Sequence, residues 1–385
     1  MAARFTNGNR LRLLRAGAEY FPALEAALGE AKETVFLETY IYAGDATGRR
    51  ITRALCDAAS RGVTVHVLVD GFGAKDMPGD FAMELGAAGA RLLAFRPEVW
   101  RFPWRRERLR RMHRKLAAID DRTAFIGGIN VIDDADTPRQ RPPRYDFAAM
   151  IEGPLVGEVR HEAERLWNRV ALARLSPEWR VRIHGDPPPP RGRQRAALVV
   201  RDNLRHRRSI ENAYLEAMDA ASGEIIIANA YFFPGTRFRR ALVRAAARRV
   251  RVVLMLQARV EYVALYYATR ALYGALLEAG VEIYEYRRSF MHAKVAVVDG
   301  RWATVGSSNI DPFSLLLARE ANVVVEDERF AGELRGLLLE DMARGARVVR
   351  ARHWSRQPLW RRIPYWIAYG LARIAIGILG PGGRF

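Results

Sequence analysis

Lysine is nearly missing from this 385-residue chain. Of 62 lysines and arginines only four are lysine, at Lys32, Lys75, Lys115 and Lys294. Cysteine is scarcer still. The single Cys56 excludes an internal disulfide, which suits a reducing compartment. No Cys/His cluster has zinc spacing and no glycine-rich nucleotide loop is present, so neither a metal nor a cofactor is expected. The opening "MAARFTNGNR" lacks the basic-then-apolar layout of a signal peptide, and no central run of 18 apolar residues offers a conventional membrane span. Acidic residues are also in short supply. With 43 of them against 62 basic ones the formal net charge is +19, which favours an anionic partner: nucleic acid, an acidic membrane surface or phosphate groups.

Two of the four lysines stand in matching contexts. "MHRKLAAIDD" from Met112 and "MHAKVAVVDG" from Met291 each place a lysine two residues after a histidine, then a short apolar run, then an aspartate. A compact ammonium meets a phosphate oxygen as a point charge and takes part in proton transfer more readily than a guanidinium. His113, Lys115, Asp120, Gly127 and Asn130 recur as His292, Lys294, Asp299, Gly306 and Asn309, all displaced by 179 residues. Upstream, "RALCDAASRGVTVHVLVDG" from Arg53 is echoed by "RALVRAAARRVRVVLMLQ" from Arg240. Self-similarity on this scale reads as a duplicated unit.

Each copy runs strand, helix, strand, helix, hairpin. "TVFLETYIY" and "EIIIANAYFF" are β-rich, whereas "VTVHVLVDG" and "VRVVLMLQ" are nearly continuous apolar strands, as expected where helices cover both faces of a sheet. The prolines at 187–190 can sit in neither helix nor central sheet. The expected organisation is therefore an α/β chain with a first domain over 1–185, a linker over 186–195, a second domain over 196–350 and a tail over 351–385.

Side chains alternate along a strand, so His292 and Lys294 share a face. Asp299-Gly300 is a strong turn signal. Pairing Val298 with Ala303 brings Asn309 back opposite His292, and the same arithmetic brings Asn130 beside His113. A histidine, a lysine and an asparagine then converge at one strand end in each copy. Lys115, Lys294, Asn130 and Asn309 can hold and neutralise the oxygens of a phosphodiester, whose negative charge otherwise repels a nucleophile. An imidazole near its ordinary pKa of about 6.5 can give and take protons near neutrality. Asp120 and Asp299 sit at the turns, where capping the hairpin is as good a reading as a catalytic one. His66 reads as a core histidine, and His161, His184, His206 and His353 as surface residues.

The full pattern, H-x-K-x4-D-x6-G-[GS]-x-N found twice, resembles the signature of the phospholipase D superfamily. The wider match includes "ANAYFFPG" and "VGSSNIDPFSLLLAREANVVV" and runs from about Phe5 to Leu379. It resembles the bacterial cardiolipin synthases of the kind without N-terminal membrane spans. The resemblance implies two phospholipase D-like α/β/α sandwich domains with mixed sheets, packed as a pseudo-twofold pair. It implies that one of His113 and His292 attacks phosphorus to form a phosphohistidine while the other moves protons; His113 is the nucleophile by analogy. It also implies an acidic residue that orients each histidine. Asp146 and Glu320 are the candidates, 33 and 28 residues after the histidines of their own copies.

The superfamily contains nucleases, phospholipases and phosphatidyltransferases. "VWRFPWRRERLRRMHRK", from Val99, interleaves aromatic with basic residues, which suits either an anionic membrane or single-stranded nucleic acid. In the tail, Arg373 is the one charge between Ile363 and Gly380, behind Arg361, Arg362 and a cluster of aromatics. It reads as a helix lying on or shallowly inserted in a membrane, with a core helix or a true span as alternatives. The expectation is transfer of a phosphatidyl group from one phosphatidylglycerol to another, at the cytoplasmic side of the cell membrane, as a peripheral or monotopic protein with no nucleic-acid partner. Lipid hydrolysis, and behind it a nuclease or phosphodiesterase activity, stay open as alternatives.

Overall fold

The computed structural model describes residues 3–96, 110–137, 141–184, 186–202, 206–260, 262–311 and 318–379. Of the basic-aromatic stretch from Val99 to Lys115, residues 99–109 lie outside them. In chain order the first half comprises β1 (Thr6–Arg15), α1 (Ala16–Glu30), β2 (Thr34–Thr39), α2 (Ala46–Ser60), β3 (Thr64–Asp70), α3 (Gly79–Ala87), β4 (Arg91–Phe95), β5 (Arg111–Met112), β6 (Lys115–Ile119), β7 (Thr123–Gly127), β8 (Arg144–Tyr145), β9 (Phe147–Glu152) and α4 (Leu155–Ala173). The second half comprises β10 (Gln194–Arg201), α5 (Ser209–Ala220), β11 (Glu224–Asn229), α6 (Thr236–Ala247), β12 (Arg251–Gln257), α7 (Val263–Ala271), α8 (Tyr273–Glu278), β13 (Glu282–Tyr286), β14 (Phe290–Met291), β15 (Lys294–Val298), β16 (Trp302–Gly306), β17 (Ala318–Glu326) and α9 (Glu328–Gly345). An edge strand β18 (Ala346–Val348), a short helix α10 (Ala351–Ser355) and a long helix α11 (Leu359–Leu379) follow.

Among the described residues, one mixed sheet runs through both halves in the order β18-β13-β12-β11-β15-β16-β17-β10-β1-β9-β7-β6-β2-β3-β4. The order reads the same from either end of the β1–β10 pair, as a pseudo-twofold requires. The antiparallel pairing of β1 with β10 fuses what the sequence alone presents as separate sheets. Strand β10 opens at Gln194, just ahead of the end expected for the linker.

Period-two alternation explains the layers. Val35 and Leu37 of β2 face α1 and α2, while Phe36 between them joins α4 on the other side. Ile225 and Ile227 of β11 face α5 and α6, while Ile226 and Ala228 join α9. The α4–α9 side forms one core through both halves, and the other side forms two cores, one per half. Burying both faces explains why these strands carry almost no polar residue. His66 is buried against Phe36 and Trp167, where burial lowers its pKa to about 4, so it is a neutral core residue.

The two signature hairpins share one register. Val298 pairs with Trp302 and Ile119 with Thr123, one residue away from the pairing expected for Val298. The shift comes from the turn: Asp299 and Gly300 both take positive φ, 52° and 63°, and Arg301 N–H donates to the Val298 carbonyl. Asp120 and Asp299 act here. The Asp120 carboxylate accepts the backbone N–H groups of Lys32, Glu33 and Thr34, and Asp299 accepts those of Ser222, Gly223 and Glu224. Each latches its hairpin to the start of the neighbouring antiparallel strand, β2 or β11. They lie five residues, about 16 Å, along the strand from their lysines and do not join the histidines, so of the two readings the geometry favours the hairpin cap over the catalytic one. Asp120→Ala and Asp299→Ala are each expected to lower unfolding free energy by about 1–2 kcal/mol in denaturant titrations, because three backbone N–H groups at a strand start lose a charged acceptor. Activity per folded molecule should stay within about threefold, since uncapped turns leave the far strand ends in place.

Candidate active site

His113 and His292 follow the two-residue strands β5 and β14, and each of these crosses to the other half. β5 runs parallel to the start of β17, so that Arg319 pairs with Met112 and the His113 N–H donates to the Arg319 carbonyl at 3.0 Å. β14 runs parallel to β8, Met291 pairs with Tyr145, and the His292 N–H donates to the Tyr145 carbonyl at 2.8 Å. The residue after each of those carbonyls is an acid, Glu320 or Asp146. Its carboxylate therefore arrives at the ring of the histidine bound next door. His113 Nδ1 lies 3.0 Å from Glu320 Oε1, and His292 Nδ1 lies 2.7 Å from Asp146 Oδ2. Both acids orient a histidine, but each serves the histidine of the opposite half. Sequence separation pointed to the wrong partner because the crossing of β5 and β14 is a tertiary event.

Below the rings sit the lysines. Lys115 Nζ donates to the His113 carbonyl at 2.6 Å; Lys294 Nζ donates to that of His292 and stands 3.8 Å from Asp146. Both lysines are buried, as are Asn130 and Asn309. The Asn130 Oδ1 accepts from the Ile41 N–H, which turns its amide N–H groups inward; Asn309 Oδ1 is buried with no hydrogen-bond partner. The imidazoles keep 17 % and 11 % of their side-chain surface, in a cluster whose lysines and carboxylates keep 4 % or less of theirs where they pair. A ligand entering the site therefore meets the imidazoles first.

Three features of the site escaped the sequence reading. Tyr40 packs its ring edge-on to His113 at 4.8 Å, and Tyr231 stands 6.5 Å from His292 in the other half. The strand register matches Tyr40 with Ala230 and Tyr231 with Ile41, so the two rings are not repeat counterparts and the duplication carried no signal for them. Asp70 and Gln257, at matching ends of β3 and β12, tie the backbone just before each histidine: Asp70 accepts the Met112 N–H, and Gln257 donates to the Met291 carbonyl. Ser307 breaks the symmetry. Its hydroxyl donates to Glu320 Oε2. Its counterpart Gly128 has no room for a side chain, because a Cβ there would come within 2.3 Å of the Asp146 carboxylate.

The electrostatics follow from burial and from two lysines, two histidines and two carboxylates gathered in one place. Burial pushes the Asp146 carboxyl up to about 6, against the pull of Lys294, the Phe147 N–H and Lys115. Burial raises Glu320 too, but His113, Lys115 and the Ser307 hydroxyl outweigh it and hold it below the usual carboxylate range. Burial lowers Lys115 to about 7, with Lys294 adding repulsion and Glu320 opposing it. His292 is driven well down by burial and then by Lys294 and Arg144, and His113 by burial and Lys115 despite Glu320. These shifts favour the neutral form of both rings, whose Nδ1 atoms are engaged by carboxylates. A bound phosphodiester adds negative charge and raises the affinity of both rings and both lysines for protons. Among the described residues no cluster of His, Cys, Asp and Glu is disposed to hold a metal. The arrangement can bind a phosphodiester, present one imidazole to phosphorus and move a proton with the other.

Paired His-Lys-Asn half-sites facing each other across a pseudo-twofold are the donor set of a phospholipase D-type phosphoryl-transfer centre. The family model described as "Cardiolipin synthase, PLD-like domain" matches residues 24–167 and 214–342. The chain belongs to this family of phospholipase D-like cardiolipin synthases. It is 39 % identical to cardiolipin synthase B of Escherichia coli K12 over 381 residues, covering 99 % of this chain and 92 % of that protein. It is 31 % identical to the major cardiolipin synthase ClsA of Bacillus subtilis over 365 residues, covering 94 % and 74 %. The fold matches a crystal structure of phosphatidylserine synthase from Haemophilus influenzae Rd KW20 with a TM-score of 0.71 at 13 % identity, covering 98 % and 96 % of the two chains.

The free enzyme should show a bell-shaped kcat/KM. Below about pH 6 Asp146 takes a proton and no longer accepts from His292; above about pH 7 Lys115 loses the charge that holds phosphate. Asp146→Asn should slow the reaction and remove the acid limb, and persistence of that limb would assign it to another group. Glu320→Gln keeps the shape of its side chain but loses the charge that polarises His113, and should lower kcat about 10²-fold or more in steady-state assays.

Proposed function

We propose that the site transfers a phosphatidyl group between two molecules of phosphatidylglycerol. His113 Nε2 attacks phosphorus and the bond from phosphorus to the glycerol oxygen breaks; His292, which takes up a proton on Nε2 when the anionic substrate binds, donates the proton that glycerol carries away. A second phosphatidylglycerol then gives its terminal hydroxyl proton to His292. Its oxygen displaces His113 from phosphorus, leaving cardiolipin and the starting enzyme. One phosphodiester replaces another, so no external energy source is needed. Lys115, Lys294, Asn130 and Asn309 hold the non-bridging oxygens as charge builds on them. The observation that carries this reading is the pair of crossed histidine–carboxylate contacts in a chain that belongs to the cardiolipin synthases. Glu320, held ionised by the Ser307 hydroxyl and Lys115, supports His113 as nucleophile, because an anionic partner on Nδ1 strengthens the lone pair on Nε2.

The same reading places the protein against the cytoplasmic side of the cell membrane. No helix among the described residues is long and apolar enough to cross a membrane. Helix α11 instead has two faces. Tyr365, Ala368, Tyr369 and Ala372 pack on the second half, whereas Ile363, Trp366, Ile367, Leu371 and Ile374 point outward, each more than half exposed. That spacing is one stripe of a helix, and an exposed apolar stripe beside basic residues suits a helix lying in the interface.

Labelled phosphatidylglycerol in mixed micelles tests the chemistry. Cardiolipin and glycerol should appear in equal amounts; phosphatidic acid as the sole lipid product would establish hydrolysis instead. Label should be trapped on protein after rapid denaturation, and should vanish with His113→Asn but not with His292→Asn. Ile367→Glu combined with Leu371→Glu should reduce recovery on vesicles in flotation while leaving turnover on micelles intact.

A further inference from the structure

At the foot of α11 the second half carries a cleft of about 560 Å³. Four arginines line it, Arg270, Arg287, Arg347 and Arg350, together with a single carboxylate, Glu285. The aromatic wall is ordered: Trp354 stacks on Tyr365 of α11 with ring centroids 5.7 Å apart and planes 12° apart. Glu285 already has its partners. It forms a buried ion pair with Arg270 and a second one, at 3.0 Å, with Arg287. Arg347 stands directly opposite Glu285 in the β13–β18 ladder, where a cross-strand ion pair would be expected, yet none forms because that carboxylate is occupied. Arg350 follows three residues later on the same rim. Among the described residues neither Arg347 nor Arg350 has a carboxylate partner, and both are exposed. A cleft holding four guanidinium groups against one carboxylate is short of negative charge, and guanidinium matches phosphate oxygens in pairs.

We propose that this cleft binds the phosphate of an anionic phospholipid headgroup, separately from the catalytic site, and so sets the depth and orientation of the protein on the membrane. The shared ligand chemistry is a phosphate group. What favours a lipid over a free phosphate is Tyr365. It lines the cleft from the same helix whose opposite face carries Ile363, Trp366, Ile367, Leu371 and Ile374 outward. A helix at the depth of the acyl boundary holds the cleft at the level of the headgroups. The inference rests on the membrane docking proposed above but not on the transfer chemistry.

The test is vesicle flotation of the full chain with phosphatidylcholine vesicles containing phosphatidic acid, a monoester that cannot act as a phosphatidyl donor. Arg347→Ala with Arg350→Ala should weaken binding about 30-fold. Arg53→Ala with Arg240→Ala, which removes the same charge from exposed faces of α2 and α6, should weaken it no more than about threefold. Both double variants should keep the wild-type melting temperature and turnover on micelles. Equal losses in the two variants would reduce the cleft to general charge attraction and overturn the proposal. A second arm adds inorganic phosphate and follows the melting temperature. A stabilisation of the wild type that is lost in the cleft variant, with vesicle binding unchanged, would show a free-phosphate site and overturn the lipid assignment. Binding requires no turnover, so a His113→Ala protein should show the same difference between variants even if the transfer reading fails.

Discussion

Two hydrogen bonds made by backbone, the His113 N–H to the Arg319 carbonyl and the His292 N–H to the Tyr145 carbonyl, are the constraint on which the rest of the site depends. Each crosses from one half of the chain to the other. Each fixes a histidine one residue away from the acid that will hold its ring. A side-chain contact alone could be reached from many backbone arrangements. A backbone bond followed at once by a carboxylate leaves few, and the same device is used twice. It follows that neither half can assemble its own dyad. The continuous sheet through β1 and β10 and the shared core beneath α4 and α9 hold the halves at the spacing the crossing needs.

The crossing also explains the electrostatics. Bringing the half-sites together places Lys115 and Lys294 within reach of each other in a buried volume, and the resident carboxylates only partly offset the desolvation of both. Burial holds Lys115 at about 7 and Asp146 at about 6, and the negative charge of a phosphodiester beside them would favour the charged form of the lysine. Low affinity of the neutral rings for protons is useful in the first step, where one of them must be an unprotonated nucleophile. The asymmetry introduced by Ser307, where the other half has Gly128, gives otherwise equivalent imidazoles different carboxylates. A duplicated site can thereby divide two roles between two copies of one residue.

The membrane docking proposed above draws on a different part of the chain. Helix α11 is amphipathic in the sense that matters here: its inner face is core and its outer face is an apolar stripe. The arginine-lined cleft at its foot adds charge at the same level. The aromatic contact from Tyr262 to Tyr231, and from Tyr231 towards His292, connects the exposed start of α7, the helix on which α11 packs, with the mouth of the site. A lipid leaving the interface would meet that path.

Much of this was legible in the residues. The 179-residue displacement, the paired lysines and the alternating apolar strands carried the duplication, the α/β class and the phosphate-holding groups, because strand periodicity and turn residues are local properties. Asp146 and Glu320 could be picked out as acids opening apolar strands, but their pairing could not: which histidine an acid serves is decided by where two short strands cross, and nothing local records that. The hairpin latches formed by Asp120 and Asp299 were equally hidden, since their acceptors meet N–H groups from a strand more than 70 residues away. The sequence by itself determined which side chains the chemistry has available. Only the tertiary structure decided which half supplies each one, because the site lies on the pseudo-twofold, and a symmetry axis exists only once both halves are folded against each other.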